Sequence, residues 1–284
     1  MNTNNLVLNK LFTQSVFQSL VRGHENEIYH TIVQRYIVQP DGKSNGELIS
    51  EIYRFMEKNY RNEYFYQNTL LNKLLLGKHS VNTTTALTQI PIGQSKADFI
   101  LINGKAVVYE IKSDLDSFDR LDTQLKDYYK AFNHVCVVTS EHYFDKLLDI
   151  LHNTPVGICV LTKRGTISSV LRKDMVEDNS FLNHQSIFRL LHKAEFERIV
   201  EEYYGELPHI SQVFFYDACF SRFSQIPIQQ AYEMAVKQLK KRNQIVSHRI
   251  ENIPYELRSL IYFFNSSMRD ISKVEDFLRE KFRG

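Results

Sequence analysis

The sequence predicts an α/β protein, with a strand-bearing centre set between two helical regions. Three observations predict it. Apolar residues recur at helical spacing as far as Leu75. Short apolar runs parted by turn signals follow between Ala86 and Leu171. Beyond residue 176 the strand texture disappears and only helical periodicity returns. The chain has 284 residues, enough for one large domain or two modest ones around a proper core. Apolar residues are 43% and charged residues 24%, a globular composition and not a disordered one. Lys plus Arg is 35 against 33 for Asp plus Glu, a net charge of +2. That excludes a histone-like polycation and leaves room for a local basic groove.

Taken in order, Phe17, Leu20 and Val21, then Ile28, Ile32 and Tyr36, mark helices, and Pro40-Asp41-Gly42 marks a turn. Leu48, Ile49, Ile52, Tyr53 and Met56 form another amphipathic stretch, closing an N-terminal helical arm over 1–60. Residues 63–76 read as one helix stopped by Gly77. The texture changes after Ser80. Residues 86–90 read as a strand, and the runs 97–102 and 106–112 flank Asn103-Gly104, a strong hairpin signal. Residues 117–132 return to helical period, with Leu121, Leu125, Tyr128 and Phe132 on one face. Residues 135–139 and 157–161 are wholly apolar, as strands buried on both faces are, with a helix over 141–152 between them. Residues 166–171 read as an edge strand. The core region is therefore 61–175. A C-terminal helical region over 176–284 carries helices at 185–204, 211–222, 227–244, 255–266 and 270–282.

Cys136, Cys159 and Cys219 are odd in number, far apart and without a CxxC pair. They predict neither a disulfide scaffold nor a cysteine zinc site, and they suit a reducing cytosol. The first residues lack a basic region followed by an apolar one, so no signal peptide is expected. No apolar run reaches bilayer length, so the expected location is cytoplasmic, with no membrane partner.

Chemistry is concentrated in the central hairpin. Asp98 opens one run, and Glu110 and Lys112 end the next, in strands that are otherwise apolar. Buried charges are costly unless paired or bound to metal. Glu110 and Lys112, two apart, share a face. A two-residue Asn103-Gly104 turn would pair Ile102 with Lys105 and send Asp98 to the other face. A three-residue loop, Asn103 to Lys105, pairs Ile102 with Ala106 and brings Asp98 opposite Glu110. Two carboxylates brought together repel unless a cation lies between them, so the longer loop or an equivalent bulge is expected, with a cation at the site. Asp98, Glu110 and the Ile111 carbonyl suit Mg²⁺, with Mn²⁺ able to substitute, and leave positions open for water and phosphate oxygens. Lys112 then orients water or offsets developing phosphorane charge. The competing structural reading is a cross-strand ion pair at a sheet edge, with Asp98 a strand-start cap.

Asp98, then Glu110-Ile111-Lys112 across a hairpin, followed by a helix, resembles the PD-(D/E)XK nuclease superfamily. Gln124-Leu125-Lys126-Asp127-Tyr128 resembles the QxxxY motif of its RecB-like branch. Glu63 is similar in position to the superfamily's first-helix acidic residue. Residues 62–139 also resemble a family of small, mostly uncharacterised bacterial and phage proteins placed in that superfamily. The resemblance covers about the middle third of the chain, and Ala97 stands where the motif has proline. It implies a restriction-endonuclease-like core with a mixed central β-sheet flanked by helices. It implies a Mg²⁺-dependent nuclease in which Asp98, Glu110 and Lys112 are catalytic. Asp98, Glu110, Ile111 and Glu63 would hold metal, and Gln124 and Tyr128 would meet nucleic acid. DNA is the expected substrate.

Lys237, Lys240, Lys241, Arg242, His248 and Arg249 form a basic run. It either tracks a phosphate backbone, with Lys240, Lys241 and Arg242 in contact, or is a solvated helix face. His24 and His30 do not make HExxH, and no GxGxxG, Walker A or GxSxG motif is present. Two other classes compete with the enzyme. One is a non-catalytic nucleic-acid- or protein-binding module on the same fold. The other is a homodimer joined through C-terminal helices such as Ile261-Tyr262-Phe263-Phe264.

Overall fold

The structure, a computed structural model, describes residues 3–77, 83–242, 253–264 and 271–282. In chain order come α1 (Leu8–Leu11), α2 (Gln14–Val21), α3 (Glu27–Tyr36), α4 (Asn45–Asn59) and α5 (Glu63–Leu70). The strands β1 (Thr85–Ile92), β2 (Ser95–Asn103) and β3 (Lys105–Lys112) follow, then α6 (Leu121–Tyr129) and β4 (Val135–Ser140). Next are α7 (Phe144–Leu151), β5 (Gly157–Leu161) and β6 (Ile167–Lys173). The last elements are α8 (His184–Arg189), α9 (Lys193–Tyr204), α10 (Gln212–Phe223), α11 (Ile228–Leu239), α12 (Arg258–Tyr262) and α13 (Ile271–Arg279).

Two expected helices are interrupted. The stretch over 63–76 changes at Leu70 into a π-helical turn, Leu71–Leu76. The stretch over 185–204 breaks between α8 and α9, because the Glu195 carboxylate accepts from the His192 backbone N–H at 2.7 Å and starts a new helix. The expected ends at 243–244, 265–266 and 270, and the basic residues His248 and Arg249, lie outside the described residues.

The chain forms two compact units, residues 1–77 with 245–284, and residues 78–244. These boundaries differ from the sequence division at 60 and 175. In the helical unit the two ends of the chain share one core. Asn45 Nδ2 donates to the Phe277 carbonyl at 3.0 Å, and Asn68 Nδ2 donates to the Tyr255 carbonyl at 2.9 Å. Ile261, Tyr262 and Phe264 are buried in this unit. They pack inside this unit, and Phe263 beside them is half-buried.

The second unit is built on a six-stranded sheet in the order β1-β2-β3-β4-β5-β6. β1, β2 and β3 are antiparallel neighbours, β3, β4 and β5 run parallel, and β6 is antiparallel to β5. The sheet is mixed because short turns join β1, β2 and β3, whereas α6 and α7 carry the chain back to start parallel strands. The tail helices belong to this unit. Ile187, Phe188, Phe196, Ile199, Val200 and Phe223 share its core with Val135 and Val137. Among the described residues no helix is long and apolar enough to cross a membrane.

Candidate active site

The hairpin adopts the longer-loop register. Ile102 pairs with Ala106 and Phe99 with Tyr109, with Gly104 at the tip in a left-handed conformation, φ +72°. Ile100, Ile102, Ala106 and Val108 pack with Leu121, Leu125 and Tyr128 of α6 in one core. Strand alternation puts Asp98, Glu110 and Lys112 on that same face.

The regular ladder stops at Phe99 and Tyr109, and one further step places Asp98 opposite Glu110. There the Asp98 carboxylate takes the Ile111 N–H at 2.9 Å. On the β1 side, Thr88 pairs with Phe99 and Ile90 with Ala97, and the intervening Gln89 is left-handed at φ +54°. Thr88 Oγ1 donates to the Asp98 carbonyl at 2.7 Å. Asp98 thus lies one step beyond the regular β2–β3 ladder, with its side chain half-buried.

Glu110 is 1% exposed and Lys112 7%. Lys112 Nζ lies 3.1 Å from Glu110 Oε1, and Gln124 Nε2 donates to the same oxygen at 2.5 Å. Tyr128 OH donates to Glu110 Oε2 at 2.6 Å, and the Lys96 carbonyl lies 2.9 Å from the same hydroxyl. Lys112 Nζ also donates to Gln124 Oε1 at 2.9 Å, so one amide both receives from the ammonium and donates to the carboxylate. Spacing of four on α6 brings Gln124 and Tyr128 to one face, which is what the QxxxY pattern requires. Burial pushes the Glu110 carboxyl above the usual carboxylate range, against the pull of Lys112, Tyr128 and Gln124. Burial, then the Glu110 and Asp98 charges, push the Tyr128 phenol up, so it stays a donor.

One further residue holds this arrangement. Asp127, also on α6, accepts from Ser95 Oγ at 2.9 Å and from the Gln94 N–H at 3.0 Å. It also pairs with Lys130 at 2.8 Å. Burial alone would raise its carboxyl, but these donors outweigh it and hold it below the usual range. The contact ties α6 to the β1–β2 turn across 33 residues of sequence, beyond the reach of any local motif.

The other expected site residues lie elsewhere. Glu63 is the first residue of α5 in the helical unit, behind an Asn62 cap that accepts from the Phe65 N–H at 3.1 Å. Lys240 lines a cavity with Lys105 and Ala106, at the opposite end of β3 from Lys112, about 20 Å away along the strand. Lys241 Nζ donates to Gln238 Oε1 at 3.2 Å. Arg242 is held by Glu195 at 2.7 and 2.5 Å and by the Leu190 carbonyl at 2.6 Å. The structure therefore brings together Asp98, Glu110, Ile111, Lys112, Gln124 and Tyr128, and does not bring Lys240, Lys241 and Arg242 to them.

Asp98, Glu110 and a backbone carbonyl make an all-oxygen donor set, the kind a hard divalent cation takes while keeping several waters. Ile111 N–H points at Asp98, and a strand residue directs its carbonyl to the same edge as its N–H. Three donors to Glu110 leave one of its four carboxylate lone-pair sites unused. The residues present fit such an ion. Among the described residues no group of three or more His, Cys, Asp or Glu side chains is arranged to hold a metal.

The family model for bacteriophage P4 protein cII matches residues 56–260, well over half of the chain. No curated protein and no solved structure matches it. The chain belongs to the bacteriophage P4 cII protein family.

Proposed function

We propose that this member of the P4 cII family is a metal-dependent nuclease of PD-(D/E)XK type, hydrolysing phosphodiester bonds in nucleic acid, DNA foremost. One observation carries the reading. A carboxylate and an ammonium are held together inside an apolar sheet, a second carboxylate lies one register step across, and Gln124 and Tyr128 close over them from α6. Asp98, Glu110 and the Ile111 carbonyl would hold Mg²⁺ or Mn²⁺. That ion would supply Lewis acidity toward water and a phosphoryl oxygen. Lys112 orients the attacking water and offsets charge gathering on the phosphorus oxygens. Gln124 and Tyr128 hold the Glu110 carboxylate in place and line the approach. The proposal rests on these residues of the sheet unit and does not depend on Glu63.

A specific observation favours a second reading. Both Glu110 oxygens already accept hydrogen bonds within the protein, as in a purely structural network. On that reading the fold is a binding module without catalysis. Incubation of plasmid and of single-stranded RNA with Mg²⁺, with Mn²⁺ and with EDTA separates the two. Nuclease chemistry predicts cleavage that needs the ion and falls by about a hundredfold or more in Asp98→Ala and Lys112→Ala. Purified protein that never cuts either substrate with either ion sinks the enzyme reading. Cutting that survives both substitutions sinks the site.

A further inference from the structure

At the hairpin end of β3, in the same unit and far from the carboxylate site, lies a cavity of about 440 Å³. Its floor includes His134, 7% exposed, and Tyr232, also 7% exposed. A chain of hydrogen bonds fixes the state of His134. A carboxylate has no proton to give, so Glu177 Oε1 accepts from Asn179 Nδ2 at 2.6 Å. Asn179 Oδ1 then accepts from Asn133 Nδ2 at 3.0 Å. Asn133 Oδ1 is thereby turned toward its remaining neighbours, and accepts from Tyr232 OH at 2.7 Å and from His134 Nδ1 at 2.9 Å. Every polarity in the chain follows from the carboxylate at its head. The imidazole carries its proton on Nδ1 and keeps a bare lone pair on Nε2. No protein group among the described residues bonds Nε2, and it is not among the sealed, unpartnered atoms, so it looks onto the cavity.

Around the same cavity stand Lys105, Lys237 and Lys240, with Glu177 and Glu233. Glu202 holds Lys237 at 2.7 Å. Lys105 and Lys240 are in no ion pair among the described residues. Two uncommitted ammonium groups beside a bare acceptor call for a ligand that is an anion and a proton donor at once. A carboxylate or a sulfate has charge and no proton near neutral pH. A phosphate monoester, with its second pKa near 6, is an anion that also carries a proton in an appreciable fraction just below neutral pH.

We propose that this cavity binds a phosphate monoester, sharing one proton between a phosphate oxygen and His134 Nε2, with Lys105 and Lys240 meeting the negative oxygens. Burial, then the Lys105 charge, hold the His134 imidazole below its ordinary range, which keeps Nε2 bare at neutral pH. Glu233 on the rim is an acceptor for hydroxyl or amine groups of the esterified part, for which the volume leaves room. The site shares no residue with the proposed nuclease centre, and its test does not depend on cleavage.

The full chain, labelled with ¹⁵N-histidine, is titrated at pH 6.5, where a monoester keeps part of its proton, with inorganic phosphate, with a nucleoside 5′-monophosphate and with sulfate. Saturable movement of the His134 Nε2 resonance is expected with both phosphates, and about tenfold weaker affinity for sulfate. Lys240→Met is expected to weaken phosphate binding about tenfold while His134 keeps its free-state resonance. No movement of Nε2 up to millimolar phosphate or nucleotide overturns the proposal, and so does an equal response to sulfate. The wild-type titration is decisive even if the variant fails to fold.

Discussion

Glu110 has almost no water around it, and its charge is tolerable because three donors meet it. Burial holds its carboxyl above the ordinary range, so the native state binds a proton more tightly than the unfolded chain does. The sign follows: this group's contribution is present at low pH and is lost as pH rises through the folded value. Lys112 is the leading force opposing the shift, so Lys112→Met pushes the carboxyl higher still. The stability deficit of that variant is expected to grow from pH 5 to pH 8, reaching about 3 kcal/mol at the alkaline end. Adding Glu110→Gln to it is expected to recover most of the loss. Urea unfolding at the two pH values checks this, and a deficit that ignores pH means the pair is not coupled as described. Tyr128→Phe belongs to the same scale. It strips the donor from Glu110 Oε2 and is expected to cost about 1–3 kcal/mol, read by the same unfolding curves.

The position of α6 decides whether these residues meet at all, and Asp127 sets it. The turn it grips begins at Gly93, left-handed at φ +62°, where an added Cβ would lie 2.6 Å from Asp127 Oδ1. Gly93→Ala is therefore both strained and obstructed. It is expected to cost about 2 kcal/mol and to loosen Gln124 and Tyr128 along with the helix. Chemical denaturation gives the first number, and faster amide exchange in α6 than in β4 gives the second effect. Unchanged exchange would mean that the helix is held by its apolar face alone. Elements of this kind mark the limit of what the sequence shows. The inner strands were legible because β4 and β5 are short apolar runs and β2 and β3 are apolar runs on either side of Asn103-Gly104. The register was legible because two carboxylates and a lysine make sense on one face and not on two. The Asp127 grip, the left-handed Gln89 and the break before α9 were not. The first is a contact between distant segments, and the second is a local strain that no apolar pattern encodes. The third needed His192 and Glu195 read as a cap within a run whose apolar period continues across it.

At the scale of the whole chain, the helical unit joins residues more than two hundred positions apart, as in the bond from Asn45 to the Phe277 carbonyl. Periodicity finds such helices and says nothing of which ones share a core, which is why the sequence divided this unit into two separate arms. The consequence is that the two units differ in what they need from the C-terminus. A chain ending at Gln244 lacks Leu260, Ile261, Tyr262, Phe264, Val274 and Phe277, all buried. Removing one large core side chain costs about 2–5 kcal/mol, and a whole domain is stable by only about 5–15 kcal/mol. The helices α1 to α5 are thus expected to lose their fold in the shortened chain. The sheet unit keeps its own core, drawn from residues between Leu87 and Leu239, and is expected to persist. Hydrogen exchange distinguishes the two: protection should vanish from α3 and α4 and remain in β3 and β4. Retained protection in α3 and α4 would show that the N-terminal helices stand without the C-terminal ones, and loss throughout would show that the sheet unit depends on them as well.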